Sequence, residues 1–318
     1  YPNGSQLVNH YTYVLCGDGC LEEGLSQEAI SLAGHHKLNK LILIYDSNAV
    51  TLDGALDMSN SEDVRKRFEA SSWNTLEVMD GNDVDAIDAA ISEAKNSDKP
   101  TLIVVHTVIG YGSAKQGTSK VHGAPLGEED GENCKKFYGY TYPAFTIPQE
   151  VYDLYQNTFI ARGEAANAKW NETFKAYALE NKEAANLFLD AINSKVEKYL
   201  PKEPEFALDN GDSTRVSSGK ALNELINSVP FLMGGSADVA GSVMTKINSA
   251  DFSFEHPEGR NINYGIREFA MACINNGMIL HGGLKTYGGC FLVFSDYMKN
   301  AIRISSLSKI PAIYLFSH

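Results

Sequence analysis

The chain has 318 residues, of which 43% are hydrophobic and 21% charged, a composition typical of a globular protein with room for two domains, each with its own core. The formal net charge of −13 argues against non-specific binding to nucleic acid or to an anionic membrane. The apolar runs are strand-sized, and none approaches the length that is needed to span a bilayer.

The first part of the chain alternates short apolar runs with amphipathic stretches. Such runs predict buried strands, and such stretches predict helices. In chain order these are a strand at 11–16, a helix at 22–34, a strand at 41–46, a helix at 83–95 capped by Asn82, and a strand at 101–108. Apolar strands between amphipathic helices indicate a parallel sheet that is covered on both faces.

A long region without any strand pattern follows, and the alternation then resumes. We predict helical structure at 148–198 and a linker at 200–214, which is rich in Pro, Gly and acidic residues. The later elements are a helix at 218–229, a strand and turn at 230–238, a helix at 268–280, a strand at 290–294, a helix at 296–307 and a strand at 312–316. These elements predict a second α/β domain.

The two ends and the cysteines indicate the context of the chain. The N-terminus has no Met and lacks the basic and long apolar regions of a signal peptide, and both ends interrupt a fold pattern, so we expect a piece of a longer protein. The five cysteines fit neither a zinc site nor a disulfide framework. Reduced thiols in a cytoplasmic protein are therefore expected.

One motif carries chemistry by its position. Gly17, Asp18 and Gly19 follow the first strand, and Asn48 follows the second strand. Between Gly19 and Asn48 lie 28 residues. The carboxyl ends of parallel strands share one edge of the sheet, where ligands bind. A carboxylate and an amide oxygen, completed by phosphate oxygens, form a set that suits Mg²⁺ or Ca²⁺. Gly-Asp-Gly alone is also a common turn, so the motif gains its meaning from the helix, the strand and the Asn that follow it.

The segment GDGCLEEGLSQEAISLAGHHKLNKLILIYDSN resembles transketolases almost throughout, and so do the shorter segments TVIGYGS, VHGAPLG, GGSADVAGS, YGIREFAM and YGGCFLVFSDY. These segments occur in order along nearly the whole chain. The resemblance implies two doubly wound thiamine diphosphate-binding domains with parallel sheets flanked by helices. It assigns 1–145 to the diphosphate- and metal-binding domain, 146–211 to a helical linker, and 212–318 to the pyrimidine-binding domain.

The resemblance also implies a cofactor site with Mg²⁺, or with Ca²⁺ as the second candidate. The metal ligands would be Asp18, Asn48 and the backbone carbonyl of Val50. The cofactor-binding residues would be Gly17, Asp18, Gly19, Asn48, Ile109, Glu268, Phe291, Phe294 and Tyr297. In the family, the residue that matches Glu268 bonds the aminopyrimidine and so promotes formation of the thiazolium ylide.

The resemblance also implies residues that bind or act on the substrate. The implied catalytic residues are Glu268, His122 and His318, and the substrate-binding residues are His122, Arg215, Asp238, Ser242 and His318. Arginine and hydroxyl donors suit a sugar phosphate. The residues alone favour other interpretations, in which His122 is a satisfied core histidine and Glu268 is a helix N-terminal acid held by Arg267.

The expected activity is that of a transketolase of the pentose phosphate pathway, which transfers a two-carbon ketol unit from xylulose 5-phosphate to ribose 5-phosphate, giving sedoheptulose 7-phosphate and glyceraldehyde 3-phosphate. The expected assembly is a homodimer with its active sites between subunits, without nucleic acid or membrane partners. Two alternatives remain: a dihydroxyacetone synthase that uses formaldehyde, and an inactive piece that only dimerises or binds cofactor.

Overall fold

A computed structural model describes residues 1, 4–201 and 211–318. The chain divides into two compact units, an N-terminal unit of Asn3–Glu180 and a C-terminal unit of Asn181–His318 with Tyr1–Pro2. The division falls within the predicted helical linker. Of the linker predicted at 200–214, positions 202–210 lie outside the described residues, and Thr214 already begins a helix.

The N-terminal unit is built on a four-stranded parallel sheet. Its strands are β1 (Thr12–Gly17), β2 (Leu41–Ser47), β3 (Asn74–Val78) and β4 (Thr101–His106), in the spatial order β1-β2-β4-β3. Its helices are α1 (Asp18–Glu22), α2 (Gly24–His35), α3 (Val64–Ala70), α4 (Val84–Ala94), α5 (Glu128–Phe137), α6 (Gln149–Tyr155) and α7 (Ala161–Glu180), with a π-helical turn at Gln156–Ile160.

Neighbouring residues of the central strands belong to different apolar clusters. Leu43 and Leu102 pack with residues of α2 and α3, whereas Ile42 and Ile103 pack with residues of α4. Because successive side chains of a strand point to opposite faces, the helices cover both faces of this sheet. The predicted parallel sheet flanked by helices is confirmed.

The C-terminal unit repeats this plan. Its strands are β5 (Leu232–Ser236), β6 (Asn261–Asn263), β7 (Lys285–Phe291) and β8 (Ile313–Ser317), all parallel and in the order β6-β5-β7-β8. Its helices are α8 (Lys182–Ile192), α9 (Thr214–Ser228), α10 (Ala240–Val243), α11 (Glu268–His281) and α12 (Ser295–Leu307). Together with α6 and α7, α8 confirms the strand-free helical reading of 148–198.

The strand predicted at 290–294 is wrong in its position. The strand is β7, and residues 292–294 form a 3-10 turn. The centre of β7 contains Gly288 and Gly289, which carry no hydrophobic signal. A Cβ on Gly288 would lie 2.4 Å from Asn275 Nδ2, and one on Gly289 would lie 2.6 Å from Thr245 Cγ2. Close packing therefore selects glycine in the strand itself.

Smaller differences concern element ends. The cap of α4 is Asp83, which accepts a hydrogen bond from the Ala86 N–H at 2.9 Å, and not Asn82. The predicted helix at 22–34 is α2, which begins at Gly24 because Glu23 before it is extended. Strands β3 and β6 and helices α1, α3, α5 and α10 had no prediction. No helix in the described parts of the chain is both long and apolar enough to cross a membrane.

Candidate functional site

The carboxyl ends of β1 and β2 border a pocket of about 520 Å³. It brings together the two glycines, all three predicted metal ligands and one predicted substrate residue. The lining residues are Gly17, Asp18, Gly19, Cys20, Glu22, Glu23, Asn48, Val50, Thr51, Leu52 and His122. The meeting of the two strand ends at one edge follows from the parallel register, in which Gly17 is paired with Asp46.

Asp18 is the first residue of α1 and is only 4% exposed. Its Oδ1 accepts a hydrogen bond from the Tyr45 hydroxyl, whose pKa is raised by burial and by this contact with Asp18. Its Oδ2 is buried and has no hydrogen-bond partner among the described residues. A buried carboxylate oxygen without a partner is costly unless a cation or a donor satisfies it. Asp18 therefore fits the role of a metal ligand.

Gly17 and Gly19 border the pocket without being required by the packing of the chain. A Cβ on either residue would meet no heavy atom of residues 1, 4–201 and 211–318 within 4 Å. The backbone of Gly17, with φ of −107°, is also open to other residues. The absence of these side chains leaves space at the N-terminus of a helix, where the backbone can approach a phosphate group.

The second wall of the pocket is a turn that follows β2. Asn48 Oδ1 accepts a hydrogen bond from the Val50 N–H at 3.0 Å, and Asn48 Nδ2 donates to Asp46 Oδ2 at 3.3 Å. The residue between the two predicted ligands, Ala49, has a left-handed φ of 59°. The amide oxygen of Asn48 keeps a second lone pair, so this side chain also fits a metal.

The ligand set that these residues form contains oxygen atoms only, from a carboxylate, an amide and a backbone carbonyl. It suits Mg²⁺ or Ca²⁺ better than zinc. Within residues 1, 4–201 and 211–318, no group of three His, Cys, Asp or Glu side chains is arranged to hold a metal ion.

Two predicted residues of this unit stand apart from the ligand set. His122 is exposed at the rim of the pocket. Ile109 follows β4 at the same sheet edge, where its carbonyl accepts a hydrogen bond from the Gly117 N–H at 2.8 Å, but its side chain does not line the pocket.

In the C-terminal unit, Glu268 is the first residue of α11 and is 7% exposed. The pKa of the Cys290 thiol is raised to about 11, first by burial and then by the charge of Glu268. The carboxylate therefore lies near the end of β7. Arg267 donates a hydrogen bond from Nη1 to the Tyr264 carbonyl at 2.9 Å.

A row of aromatic rings continues from the end of β7. Phe291 and Phe294 stack with ring centroids 6.0 Å apart, and Tyr297 follows with its centroid 6.3 Å from that of Phe294. These rings are not an ordinary core, because Tyr297 is 65% exposed and the two Phe rings are half-buried. An exposed row of this kind offers a stacking surface.

Polar residues meet the aromatic row at the end of β8. Arg215 in the first turn of α9 contacts His318 Nε2 through Nη1, and the His318 ring lies 4.6 Å from the Phe291 ring. Asp238 and Ser242 are exposed and follow β5 of the same sheet, Asp238 with a left-handed φ of 61°. The structure thus joins Arg215, His318 and Phe291 by contact and relates Asp238 and Ser242 to them only through the sheet.

Tyr45, whose hydroxyl bonds Asp18, was not predicted from the sequence. A usable signal existed, because Tyr45 is the only aromatic residue in the aliphatic run of β2, and a buried Tyr hydroxyl usually finds a partner. The pocket residues Cys20, Thr51 and Leu52 were also missed.

Comparison with known proteins bears on the whole chain. The family model "Transketolase, thiamine diphosphate binding domain" matches residues 1–197, and "Transketolase, pyrimidine binding domain" matches residues 211–318. The chain is 46% identical over 319 residues to the transketolase of Staphylococcus aureus strain MW2, covering 99% of the chain and 48% of that protein. It is 47% identical over 317 residues to that of Bacillus subtilis strain 168, covering 98% and 48%.

Solved structures give the same result at the level of the fold. A transketolase from Leishmania mexicana superimposes with a TM-score of 0.92 at 39% identity, covering 100% of the chain and 48% of that structure. A transketolase from Pichia stipitis in complex with sedoheptulose-7-phosphate gives a TM-score of 0.92 at 39% identity, covering 97% and 47%. The chain spans about half the length of the relatives that it matches.

Proposed function

The chain belongs to the transketolase family, and on that premise we propose that it forms the cofactor-binding core of a transketolase. The complete enzyme would transfer a two-carbon ketol unit from xylulose 5-phosphate to ribose 5-phosphate in the pentose phosphate pathway, in the cytoplasm. The relative from Pichia stipitis in complex with sedoheptulose-7-phosphate supports a sugar phosphate substrate.

The observation that carries the proposal is the buried Oδ2 of Asp18, which has no hydrogen-bond partner within the described parts of the chain and lies in a pocket bordered by two glycines. Asp18, Asn48 and the Val50 carbonyl would hold the metal, Mg²⁺ or Ca²⁺. Gly17 and Gly19 would admit the diphosphate close to the N-terminus of α1. The negative charge of the diphosphate would then be balanced by the metal in a chain that is itself strongly acidic.

In the C-terminal unit, Glu268 would act on the aminopyrimidine. When bound, thiamine diphosphate supplies a stabilised carbanion that accepts the ketol unit. Glu268 would hold and release a proton at its carboxylate. Phe291, Phe294 and Tyr297 would pack around the pyrimidine ring, and Ile109 near the thiazolium ring. The burial of Glu268 and the exposure of the aromatic row support these roles.

The substrate would be held by exposed polar groups. Arg215 and Ser242 would bind the sugar phosphate, since a guanidinium and a hydroxyl both donate to phosphate oxygens. His122 and His318 would lie near the reacting carbonyl, and Asp238 would accept hydrogen bonds from sugar hydroxyls. The contact between Arg215 and His318 supports a shared polar site at the end of β8.

We also propose that the complete enzyme is a homodimer whose active sites form between subunits, as the family resemblance implies. The domain assignment of 1–145, 146–211 and 212–318 belongs to the same proposal. Because the chain spans about half the length of its relatives, we expect little or no turnover from the chain by itself. Robust ketol transfer by the 318-residue chain alone would contradict this.

The metal- and diphosphate-binding site that we propose at Gly17, Asp18, Gly19, Asn48 and Val50 is called the anchor. Calorimetric titration of the chain with thiamine diphosphate, with and without Mg²⁺, tests it. We expect binding only in the presence of the metal. Binding of equal strength without a metal would contradict the anchor. A complete enzyme that contains this segment and transfers no ketol unit to any aldose phosphate would refute the activity.

The choice of acceptor is tested on the complete enzyme by comparing ribose 5-phosphate with formaldehyde. Transfer to ribose 5-phosphate with a much higher kcat/KM is the expected result. A preference for formaldehyde would assign the enzyme to the dihydroxyacetone synthases.

A further inference from the structure

Tyr45 is held in place by the core of the N-terminal unit. It is 4% exposed, it is paired with Cys16 in the parallel register of β1 and β2, and its ring belongs to the apolar cluster that includes Leu21 and Leu43. A ring fixed by a strand and by close packing has little freedom to move. Its hydroxyl therefore has a defined position beside Asp18, which lines the pocket.

The hydroxyl of Tyr45 divides the two oxygens of the Asp18 carboxylate into different roles. A phenol is protonated at neutral pH, so the Tyr45 O–H donates to Oδ1. Oδ2 has no such donor among the residues that the structure describes. One oxygen is committed to the protein, and the other is available to a ligand.

We propose that Tyr45 is a positioning residue that restricts Asp18 to one metal-ligating oxygen, Oδ2, and thereby favours Mg²⁺ over Ca²⁺. This inference rests on the proposed function, in which Asp18 binds the metal. Residues that hydrogen-bond a metal ligand fix its orientation and change metal affinity, commonly by ten- to a hundredfold.

The selectivity follows from the coordination that each ion prefers. Mg²⁺ requires nearly octahedral geometry and takes single oxygens at short distances, whereas Ca²⁺ accepts six to eight oxygens and readily binds both oxygens of one carboxylate. Ligation through Oδ2 alone leaves the bond from the Tyr45 hydroxyl intact. Ligation through both oxygens would require Oδ1 to be shared between the metal and this hydroxyl, which holds the carboxylate in one orientation. Removing the hydroxyl should therefore weaken Mg²⁺ more than Ca²⁺.

The hydrogen bond itself is tested without metal by a double-mutant cycle on urea unfolding of the chain, with Tyr45→Phe, Asp18→Ala and the double variant. Phe keeps the ring in the core, so the fold should persist. We expect a coupling of about tenfold in the unfolding equilibrium constant. Effects of the two substitutions that simply add would overturn the inference, whatever the function of the chain.

The selectivity is tested by titrating Mg²⁺ and Ca²⁺ into the chain with thiamine diphosphate present. In Tyr45→Phe we expect the Kd for Mg²⁺ to rise about tenfold and the Kd for Ca²⁺ less than about threefold. The matched control is Tyr177→Phe. Tyr177 is 2% exposed, and its hydroxyl has no hydrogen-bond partner among the described residues, so both affinities should stay unchanged.

The outcomes separate this inference from the proposed function. Equal losses for the two ions, or no loss, would overturn the role of Tyr45 while the anchor stands. No metal-dependent binding by the unsubstituted chain would overturn the anchor and this inference together.

Discussion

The two units of the chain have the same kind of architecture, and they differ in the residues at the carboxyl ends of their parallel strands. Each has four parallel strands and a helix that begins next to the carboxyl end of a strand. The edge of the N-terminal unit carries two glycines and a buried, half-satisfied carboxylate, Asp18. The edge of the C-terminal unit carries the buried Glu268 and a row of rings that ends in the exposed Tyr297.

In the proposed function, this one architecture serves two chemistries. Space and an available oxygen suit a metal and a diphosphate, whereas stacked rings and a carboxylate suit a flat, nitrogen-containing ring. In both units the fold provides an edge at the carboxyl ends of the strands. The sizes of the side chains at this edge, and the hydrogen bonds that they already make, decide what binds there. Four predictions test this contrast.

The largest expected effect is at the sheet edge of the N-terminal unit, where we propose that the metal binds. Asp18→Ala should weaken metal-dependent binding of thiamine diphosphate by more than about a hundredfold, because it removes the charged ligand. Calorimetric titration of the chain measures this. Asp57→Ala, which removes an exposed carboxylate of the same unit, is the control and should bind normally. Near-normal binding by Asp18→Ala would remove the basis of the contrast.

Glu268→Gln tests the other edge. We expect kcat of the complete enzyme to fall about a hundredfold or more, because the amide cannot hold and release the proton, while the Kd for the cofactor changes only a few-fold. Steady-state kinetics together with the titration separate the two effects. A large loss of affinity at unchanged kcat would mean that Glu268 serves binding only.

A pair of glycines sharpens the contrast between ligand space and packing. Gly34→Ala should lower the free energy of unfolding by about 2 kcal/mol through overpacking, since its Cβ would lie 1.7 Å from the Ser71 carbonyl oxygen. Gly19→Ala meets no atom within 4 Å and should keep stability while weakening cofactor binding about tenfold, because the methyl group takes ligand space. Urea unfolding and titration of both variants measure this. An equal loss of stability in the two variants would show that Gly19 is required for packing.

The smallest expected effect concerns the aromatic row. Tyr297→Ala should change the free energy of unfolding by less than about 0.5 kcal/mol, because the residue is 65% exposed. In the complete enzyme the loss of one stacking ring should weaken cofactor affinity about threefold. Tyr152→Ala, which removes a tyrosine that is 57% exposed in the N-terminal unit, is the control. Equal affinities for the two variants would exclude Tyr297 from the site.

The fold class was predictable because strands β1, β2, β4 and β8 are continuous apolar runs. Strands β1, β2 and β4 were found within two residues at each end. Strand β7 was misplaced because Gly288 and Gly289 lie at its centre, where only contacts with Asn275 and Thr245 explain them. Strand β3 was missed because Asn74 and Glu77 interrupt its apolar run.

The candidate site was predictable to a similar degree. The spacing between Gly19 and Asn48 places both at one edge, and the structure brings them into one pocket. Spacing says nothing about the state of each oxygen. The pairing of Tyr45 with Asp18 joins residues 27 positions apart, and the contact of Arg215 with His318 joins residues 103 positions apart.

The sequence by itself determined the two α/β units through local apolar periodicity, the sheet edge of the candidate site through motif spacing, and the family through segments that resemble transketolases. The tertiary structure alone decided which oxygen of Asp18 accepts a hydrogen bond from Tyr45, which glycines leave open space and which aromatic rings stay exposed. These properties depend on strand register and on packing between elements distant in sequence. Such contacts exist only once the chain has folded.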